Sequence, residues 1–226
     1  MSRPRKIEVN TRVFESIDTP EKAYWLGFIR GDGCVWRCSS SRRSPFYVIM
    51  LTLAEVDREH LEKFKSFIGT NACISKVRGK YYQLVIYSKE MFHDLRRSLV
   101  IPPPVSEDLL PHFLRGLLDS DGTIFFKREK RYENPSWKDR IRPAVGFSGS
   151  QELIDWVADV IWRKLWLTGK VERCRNQRGL ANAWKITYKG VKNCGRLLAW
   201  LYEDSEGIRL ERKFQRAWEI LCWAEK

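Results

Sequence analysis

The chain has 226 residues and a formal net charge of +13, with 43% hydrophobic and 13% aromatic residues. This apolar content argues against a disordered chain, the length allows one or two compact units, and the excess of positive charge indicates a polyanionic partner. No apolar run reaches the ~18 residues of a membrane span, and neither a secretory signal nor a CxxC pair is visible. We therefore expect an intracellular protein with reduced thiols and no membrane partner.

The first half predicts one helix followed by two pairs of strands. Thr19-Pro20-Glu21 is a strong helix start, with an N-cap, a proline at the first helical position and an acid in the first turn. We expect this helix to end at Gly33 with a positive φ. In chain order, the rest predicts strands over 34–37 and 46–53, a helix capped by Asp57, strands over 72–77 and 81–87 with a turn at Gly79, and a helix over 89–99.

The second half predicts the same order. A helix starts near Ser106 or Pro111 and ends at Gly122, again with a positive φ expected. The proline-rich stretch 101–104 forms a linker, which divides the chain into repeats 1–104 and 105–226. The further predicted elements are strands over 123–128 and 144–148, a helix capped by Ser150, strands over 171–175 and 183–188, and helices over 191–202 and 209–224. The sequence thus predicts an α+β fold of two α-β-β-α-β-β-α repeats, each with a four-stranded antiparallel sheet.

The two predicted first helices end in similar stretches, 89 residues apart. Residues 25–33 read WLGFIRGDG and residues 114–122 read LRGLLDSDG, so that Asp32 matches Asp121. Small residues four apart would let the two helices pack closely, and parallel packing would bring both carboxylates to one end. An acid is unfavourable at a helix C-terminus, and two acids repel unless a cation lies between them. Mg²⁺, held by one or two carboxylates plus phosphate oxygens, is the natural candidate.

These stretches resemble the paired motifs of the LAGLIDADG homing endonucleases, in the single-chain form that has both copies. The second copy departs from the nine-letter pattern only at its second position, apart from conservative changes. In the first copy Arg30 replaces the first acid. The second acid, which is catalytic in that family, is present in both copies. The resemblance implies two sheets that form a saddle over DNA, packed through the paired motif helices.

The resemblance also implies the chemistry. A monomeric enzyme would use Mg²⁺, with Mn²⁺ or Ca²⁺ able to occupy the same site, to cut both strands of a long asymmetric target. The metal-site residues would be Asp32, Asp121, Gly31 and Ser120. The polar helper residues that the family places at the end of the second strand would be Glu55 and Ser148. Candidates for a basic residue near the scissile phosphate are Lys127, Arg212 and Lys213.

Basic residues mixed with aromatic and amide side chains indicate the DNA-binding surface. Between Lys127 and Arg142, seven basic residues stand against three acids. Lys and Arg neutralise phosphates, and Arg, Asn and Gln also read base edges in the major groove. We expect these residues on the open faces of the sheets: Trp36, Arg37, Arg42, Arg43, Tyr47, Lys76, Arg78, Lys80, Tyr82, Lys127, Arg128, Lys130, Arg131, Lys138, Arg140, Arg142, Arg173, Arg175, Asn176, Gln177 and Arg178.

Two other functions fit the same fold. One is a maturase that binds intron RNA and assists splicing. The other is a DNA-binding regulator without catalysis, which would be expected to lose one or both acids. Because Asp32 and Asp121 are both present, the nuclease is the favoured prediction.

Overall fold

The structure, a computed structural model, describes residues 7–40, 43–129, 140–176 and 179–225. The chain divides into two compact units, Met1–Phe113 and Leu114–Lys226. The division lies within a helix, nine residues after the boundary predicted at residue 104. The two units are described separately.

The first unit begins with the predicted motif helix and ends with a third helix. Its elements are α1 (Pro20–Asp32), β1 (Gly33–Ser40), β2 (Arg43–Ala54), a 3-10 helix (Glu55–Asp57), α2 (Arg58–Phe67), β3 (Ser75–Val77), β4 (Tyr81–Tyr87) and α3 (Lys89–Ser98).

The second unit repeats this order and adds a helix. Its elements are α4 (Leu110–Asp121, which begins just before the division), β5 (Thr123–Glu129), β6 (Arg140–Gly149), α5 (Gln151–Leu165), β7 (Lys170–Asn176), β8 (Gly179–Lys189), α6 (Val191–Tyr202) and α7 (Glu211–Ala224).

The strand order is the same in both sheets. It is β1-β2-β4-β3 in the first and β5-β6-β8-β7 in the second, with antiparallel neighbours throughout. One face of each sheet packs against helices, α2 and α3 in the first unit and α5 and α6 in the second. The predicted α+β fold of two repeated halves is therefore confirmed.

Local signals predicted most helix starts correctly. Thr19 accepts a hydrogen bond from the Lys22 amide at 3.3 Å, and Ser150 accepts one from the Leu153 amide at 3.3 Å. Asp57 is different, because a 3-10 helix precedes α2 and the Asp57 side chain makes no capping hydrogen bond. Helix α4 starts at Leu110, close to the second of the two predicted starts. Strand ends differ more, since backbone pairing extends beyond the apolar runs: β2 starts at Arg43 and β6 at Arg140.

The positive φ expected at the two motif glycines is wrong. Gly33 has φ −83°, and Gly122 is not among the residues with positive φ. The chain passes almost directly from each helix into a strand. The last turn of the helix then lies so close to the following residue that a side chain there would collide with it, and only glycine fits. A Cβ on Gly33 would lie 2.5 Å from the Ile29 carbonyl oxygen, and one on Gly122 would lie 2.6 Å from the Leu118 carbonyl oxygen.

Among the described residues, no helix is both long and apolar enough to cross a membrane.

Candidate active site and nucleic-acid interface

Each motif helix ends on an acid that stands next to the first strand of its sheet. Asp32 is the last residue of α1 and is half-buried, and Asp121 is the last residue of α4 and is exposed. Both carboxylates therefore have contact with solvent at a helix C-terminus, where the helix dipole disfavours negative charge. A cation close by would relieve this unfavourable position.

Lys213 supplies a cation at the end of α4. It projects from α7, is only 8% exposed, and its Nζ lies 2.8 Å from the Leu118 oxygen, 2.7 Å from the Ser120 oxygen and 2.8 Å from the Gly122 oxygen. These carbonyls belong to the last turn of the helix and the residue after it, where most acceptors lack intrahelical donors, although the Leu118 oxygen also accepts from the Gly122 amide at 3.0 Å. The ammonium group therefore caps the helix, and Lys213 does not stand on an open DNA-facing surface. Arg212, its neighbour, is exposed.

The other acid of the second motif, Asp119, is part of the core. It is 1% exposed, and its carboxylate accepts hydrogen bonds from the Tyr202 hydroxyl at 2.6 Å and from the Leu210 amide at 2.8 Å. Burial, together with the carboxylate beside it, raises the pKa of Tyr202 well above its ordinary value. The buried Arg115 donates to the carbonyls of Leu201 and Ile208. Both side chains thus bind α4 to the connection between α6 and α7.

In the first unit, Arg30 connects the motif helix α1 to the end of α3. Its Nη1 donates a hydrogen bond of 2.7 Å to the carbonyl of Leu99, the residue that caps the C-terminus of α3. The substitution of the first acid by Arg30 is therefore accommodated by a new structural partner and leaves the end of α1 intact.

Glu55, a predicted helper, lies directly after β2 in the 3-10 helix. Its carboxylate accepts hydrogen bonds from Lys76 at 3.0 Å and from the Tyr82 hydroxyl at 3.4 Å. The hydrogen bond from Lys76 lowers the pKa of Glu55, and the same contact raises the pKa of Lys76. Both residues are exposed and lie on the helix side of the sheet, so the structure gives Glu55 a partner away from the open face.

Strand pairing places one predicted helper, Ser148, and one residue that was not predicted, Thr52, near the ends of the motif helices. Gly33 pairs with Leu51, and Thr123 pairs with Gly146. Asp32 directly precedes Gly33 and Thr52 directly follows Leu51, so Thr52 lies next to the residue that pairs with the start of β1. In the second unit Asp121 lies two residues before Thr123 and Ser148 lies two residues after its partner Gly146, so Ser148 also lies near the start of the first strand. Thr52 accepts a hydrogen bond from Gln83 at 3.0 Å. Sequence reasoning found Ser148 but missed Thr52, because the two lie 96 residues apart whereas the acids lie 89 apart.

The open face of the first sheet is uncharged. Side chains alternate between the two faces of a strand, and directly paired residues share a face. The described strand residues on this face are Cys34, Trp36, Cys38, Phe46, Val48, Met50, Thr52, Ala54, Ser75, Val77, Tyr81, Gln83, Val85 and Tyr87, and none has a charged side chain. Trp36, Phe46 and Tyr87 are 40%, 45% and 63% exposed, and they surround Val48, which is 2% exposed. The sheet therefore presents an aromatic surface.

Basic side chains border this aromatic surface. Arg78 and Lys80 lie in the turn between β3 and β4 and are exposed. Arg78 also lines a cavity of about 450 Å³ on the open face, together with Thr52, Tyr81 and Gln83. This pattern, apolar and amide groups in the middle with cations at the border, suits a surface that contacts bases centrally and phosphates at its rim.

The open face of the second sheet is cationic. The same pairing rule places five basic side chains and one acid there among those described. Lys127 lies directly across from Arg142, and Glu172 forms ion pairs with Lys170 at 2.7 Å and Lys185 at 3.9 Å. The hydrogen bond from Lys170 lowers the pKa of Glu172. The five basic residues are Lys127, Arg142, Lys170, Lys185 and Lys189.

Comparison with known proteins finds likeness at the level of structure only. No protein-family model matches the chain, and no curated protein matches its sequence. The LAGLIDADG meganuclease I-AabMI bound to uncleaved DNA matches with a TM-score of 0.68 and 13% identity, over 92% of this chain and 91% of that one. I-SmaMI bound to uncleaved DNA with calcium ions matches at 0.66 and 14%, over 92% of each chain. The LAGLIDADG homing endonuclease I-LtrWI bound to target DNA matches at 0.65 and 9%, over 96% and 92%.

The chain has the LAGLIDADG homing endonuclease fold.

Within this LAGLIDADG fold the predicted DNA-binding residues divide by location. Trp36, Lys127 and Arg142 lie on open faces, and Arg78 and Lys80 lie in a turn. The expectation of an open face is wrong for Arg37, Tyr47, Lys76, Tyr82 and Arg173, because pairing parity places them on the helix side. Tyr47, for example, packs against Phe92 of α3 with ring centroids 5.0 Å apart.

The remaining predicted residues are less fully described. Arg175 is exposed near the end of β7. Arg43, Arg128, Arg140 and Asn176 lie in strands for which the structure describes the backbone. Arg42, Lys130, Arg131, Lys138, Gln177 and Arg178 lie outside the described residues.

Sequence reasoning missed three cations of the second LAGLIDADG sheet: Lys170, Lys185 and Lys189. A signal existed, because residues 184–189 read WKITYK, with lysines and a threonine alternating with large apolar residues. That period of two is typical of a strand with one buried face.

A divalent metal suits the two acids. Within the described residues, no group of three or more His, Cys, Asp and Glu side chains could hold a metal ion. Each motif helix instead offers one solvent-accessible carboxylate, which fits Mg²⁺, since this ion is bound through one or two carboxylates, waters and substrate phosphates. The Ser120 hydroxyl donates to backbone carbonyls within α4, the Gly116 oxygen being 3.0 Å away, so only its backbone oxygen faces the helix end.

Proposed function

We propose that the protein is a site-specific DNA endonuclease of the LAGLIDADG type, which cuts both strands of a duplex in the presence of Mg²⁺. The observation that supports this proposal is the duplicated helix end, where Asp32 and Asp121 occupy the same position in both copies although the first copy departs from the motif at its other acid. The solved neighbours named above are bound to DNA, and the second sheet of this chain presents an excess of cations on its open face.

Asp32 and Asp121 would hold the metal ions, and the backbone oxygens of Gly31 and Ser120 would complete the protein ligands. When bound, Mg²⁺ supplies an activated water and stabilises the leaving oxygen in phosphodiester hydrolysis. The protein's own part is to place the carboxylates rigidly at helix ends. Thr52 and Ser148, whose strands pair with the residues that follow the motif helices, would offer hydroxyl groups that can order water. One acid would serve each DNA strand.

Neutral amide variants test this proposal. Target sites are first selected from a randomised duplex library by cleavage with Mg²⁺. Asp32→Asn and Asp121→Asn should each abolish the double-strand break and leave DNA binding largely intact, since the amide preserves shape but weakens metal binding. Asp155→Asn, at an exposed acid on α5, is the matched control and should cut normally.

Cleavage by Asp32→Asn or Asp121→Asn at the wild-type rate would contradict the metal-site assignment. If the wild-type protein selects no cleaved sites but binds intron RNA more tightly than duplex DNA at high salt, the RNA-binding alternative is correct.

A further inference from the structure

We propose that the open face of the first sheet selects A·T base pairs, chiefly by contact with the C5-methyl groups of thymine, so that the segment of the DNA target that contacts this sheet is rich in A·T pairs. The proposal rests on the proposed function, because it takes duplex DNA as the ligand. Its structural basis lies entirely within the first unit.

The aromatic surface of this sheet is a continuous apolar patch. Trp36 on β1 and Tyr87 on β4 both pair directly with Val48 of β2, one from each side. Phe46 meets Tyr87 edge to face, with ring centroids 6.0 Å apart. Val48 is 2% exposed, whereas each of the three rings is at least 40% exposed. Large apolar side chains that cluster while exposed mark a contact surface.

The major groove of DNA offers such a surface one matching group. Thymine alone presents a methyl group on its base edge, whereas a G·C pair presents hydrogen-bond acceptors and a donor. Apolar side chains that cover those polar groups remove their water and return no hydrogen bond, which costs free energy. The same side chains against an A·T pair bury a methyl group. An uncharged face therefore favours A·T over G·C pairs.

Gln83 supplies the polar complement on the same face. It lies across from Thr52, and its Nε2 donates a hydrogen bond of 3.0 Å to the Thr52 hydroxyl, which orients the amide. The second N–H and the carbonyl oxygen of Gln83 are the two groups with which an amide side chain reads N7 and N6 of adenine. Both residues line the cavity of about 450 Å³ together with Met50, so amide and apolar groups stand side by side.

The border of the face indicates that the ligand is DNA. The exposed cations Arg78 and Lys80 lie in the turn beside the aromatic surface, where they can meet phosphates while the centre meets bases. RNA has uracil in place of thymine, and its major groove is too deep and narrow for side chains to read. A surface that binds methyl groups thus suits DNA better than RNA.

The second sheet is built for a different base composition. Among its described strand residues, Phe125 is the only exposed aromatic side chain on the open face, and it shares that face with five lysine and arginine side chains. Lys and Arg pair best with guanine and with phosphates. The preference for thymine methyl groups should therefore belong to the first sheet.

Removal of the thymine methyl groups tests the proposal. Duplexes that bind specifically are selected from a randomised library without Mg²⁺, so that cleavage is not required. Deoxyuridine, which pairs like thymidine but lacks the C5-methyl group, then replaces thymidine in one segment of the selected duplex at a time. We expect the affinity to fall about fourfold for each methyl group in contact with the first sheet. Substitution in the other segments should change it less than twofold.

Variants of the first sheet identify the segment and separate contact from changes in DNA shape. Gln83→Ala should relax the choice of adenine in the uridine-sensitive segment only. Trp36→Ala should bind the thymidine and uridine duplexes within twofold of each other, whereas an effect of DNA shape would persist. Tyr87→Ala should reduce the difference in the same direction, which keeps the test available if Trp36→Ala does not fold. Trp218→Ala, at a tryptophan of α7 that is 57% exposed, is the matched control and should keep the wild-type ratio.

The outcomes distinguish this proposal from the proposed function. Equal affinity of the wild-type protein for thymidine and uridine duplexes would overturn the methyl contact, even if the protein cuts DNA. So would a wild-type ratio in both Trp36→Ala and Tyr87→Ala, or selected targets rich in G·C pairs throughout. A protein that binds its selected duplex but cuts none contradicts the endonuclease alone, and the uridine ratio still decides the proposal. The absence of any sequence-specific binding would overturn both.

Discussion

Arg30 and Asp119 occupy equivalent positions in the two motif helices and have opposite charges, yet both connect their helix to the segment after the third helix of the same unit. Arg30 donates to the Leu99 carbonyl at 2.7 Å, and Asp119 accepts from the Leu210 amide at 2.8 Å. A carbonyl requires a donor and an amide requires an acceptor. The backbone group at hand therefore determines which charge is stable at each position.

Restoring the motif's first acid should harm the protein. Arg30→Asp would place a carboxylate near the Leu99 carbonyl, which then loses its donor. We expect a loss of about 1–3 kcal/mol in the free energy of unfolding, the usual cost of an unsatisfied buried polar group. Thermal melting measures it, and an unchanged or raised midpoint would show that the Arg30 contact contributes nothing.

Asp119→Ala should destabilise by a similar mechanism. It leaves the Tyr202 hydroxyl and the Leu210 amide without their acceptor, with an expected loss of about 1–3 kcal/mol for each group. Asp119→Asn is the control, because its amide keeps one oxygen to accept from Leu210. A melt in which alanine and asparagine variants behave alike would mean that these hydrogen bonds are not what stabilises the connection.

His60 should make stability depend on pH. It lies among Tyr24, Trp25 and Phe28 of α1, and burial, with a smaller effect of Lys63, lowers the pKa of His60 to about 3 from 6.5. Between those values the unfolded chain binds a proton that the folded protein excludes. The free energy of unfolding should therefore fall as pH is lowered from 6.5 towards 3, by at most about 1.4 kcal/mol per pH unit.

Two histidine variants isolate this effect in chemical denaturation at several pH values. His60→Gln, which cannot titrate but can still form a hydrogen bond with the Tyr24 hydroxyl, 2.8 Å from the imidazole in the wild type, should flatten the dependence. His93→Gln, at an exposed histidine on α3, should leave the slope unchanged. Equal slopes in wild type and His60→Gln would exclude His60 as the source.

The cationic face should govern the salt dependence of DNA binding. Each phosphate contact adds about 0.9 to the slope of log K against log salt, so Lys185→Gln and Lys189→Gln should each reduce the slope by about that amount. Arg163→Gln on α5, whose guanidinium pairs with Asp159 at 2.9 Å, serves as the control and should have the wild-type slope. If both lysine variants had the wild-type slope, the DNA would bind to a surface other than this cationic face.

Trp36→Ala should change the affinity for DNA but not its salt dependence. Because its face is uncharged, the variant should bind more weakly at every salt concentration with the slope unchanged. Burying a large apolar side chain is worth about 1.5–3 kcal/mol, which corresponds to a loss in affinity of roughly 10- to 150-fold. If the variant bound DNA with wild-type affinity, the aromatic surface would not be part of the DNA interface.

The sequence predicted the positions of helices and strands well. It predicted poorly which face of a sheet each strand side chain occupies. Caps such as Thr19 and Ser150 are local, so a short stretch contains the full signal. The face of a strand depends on register, and a shift of one residue moves every side chain to the other side. Arg37 and Tyr47 were therefore assigned to the open face although they pair with each other on the helix side.

The features that the sequence did not predict depend on contacts between residues far apart in the chain. Nothing near Lys213 in the sequence indicates that its ammonium reaches three carbonyls about 90 residues earlier in the chain. The glycine at the end of each motif helix was predicted correctly as necessary, but for the wrong reason. Its cause is the close approach of Ile29 to Gly33 and of Leu118 to Gly122, which only the path of the folded chain defines.

A DNA duplex that approaches the protein experiences long-range forces before short-range ones. Coulombic attraction reaches about 10 Å at moderate salt, whereas an aromatic side chain acts only on contact. Under the proposed function, the lysines of the second sheet would therefore raise the rate of encounter, and the aromatic surface around Val48 would act afterwards, on how long a captured duplex stays. Under the proposed function, the charges of the second sheet act mainly on the capture of DNA and the aromatic surface of the first sheet mainly on its release, while Arg78 and Lys80 at the border of that surface add to capture.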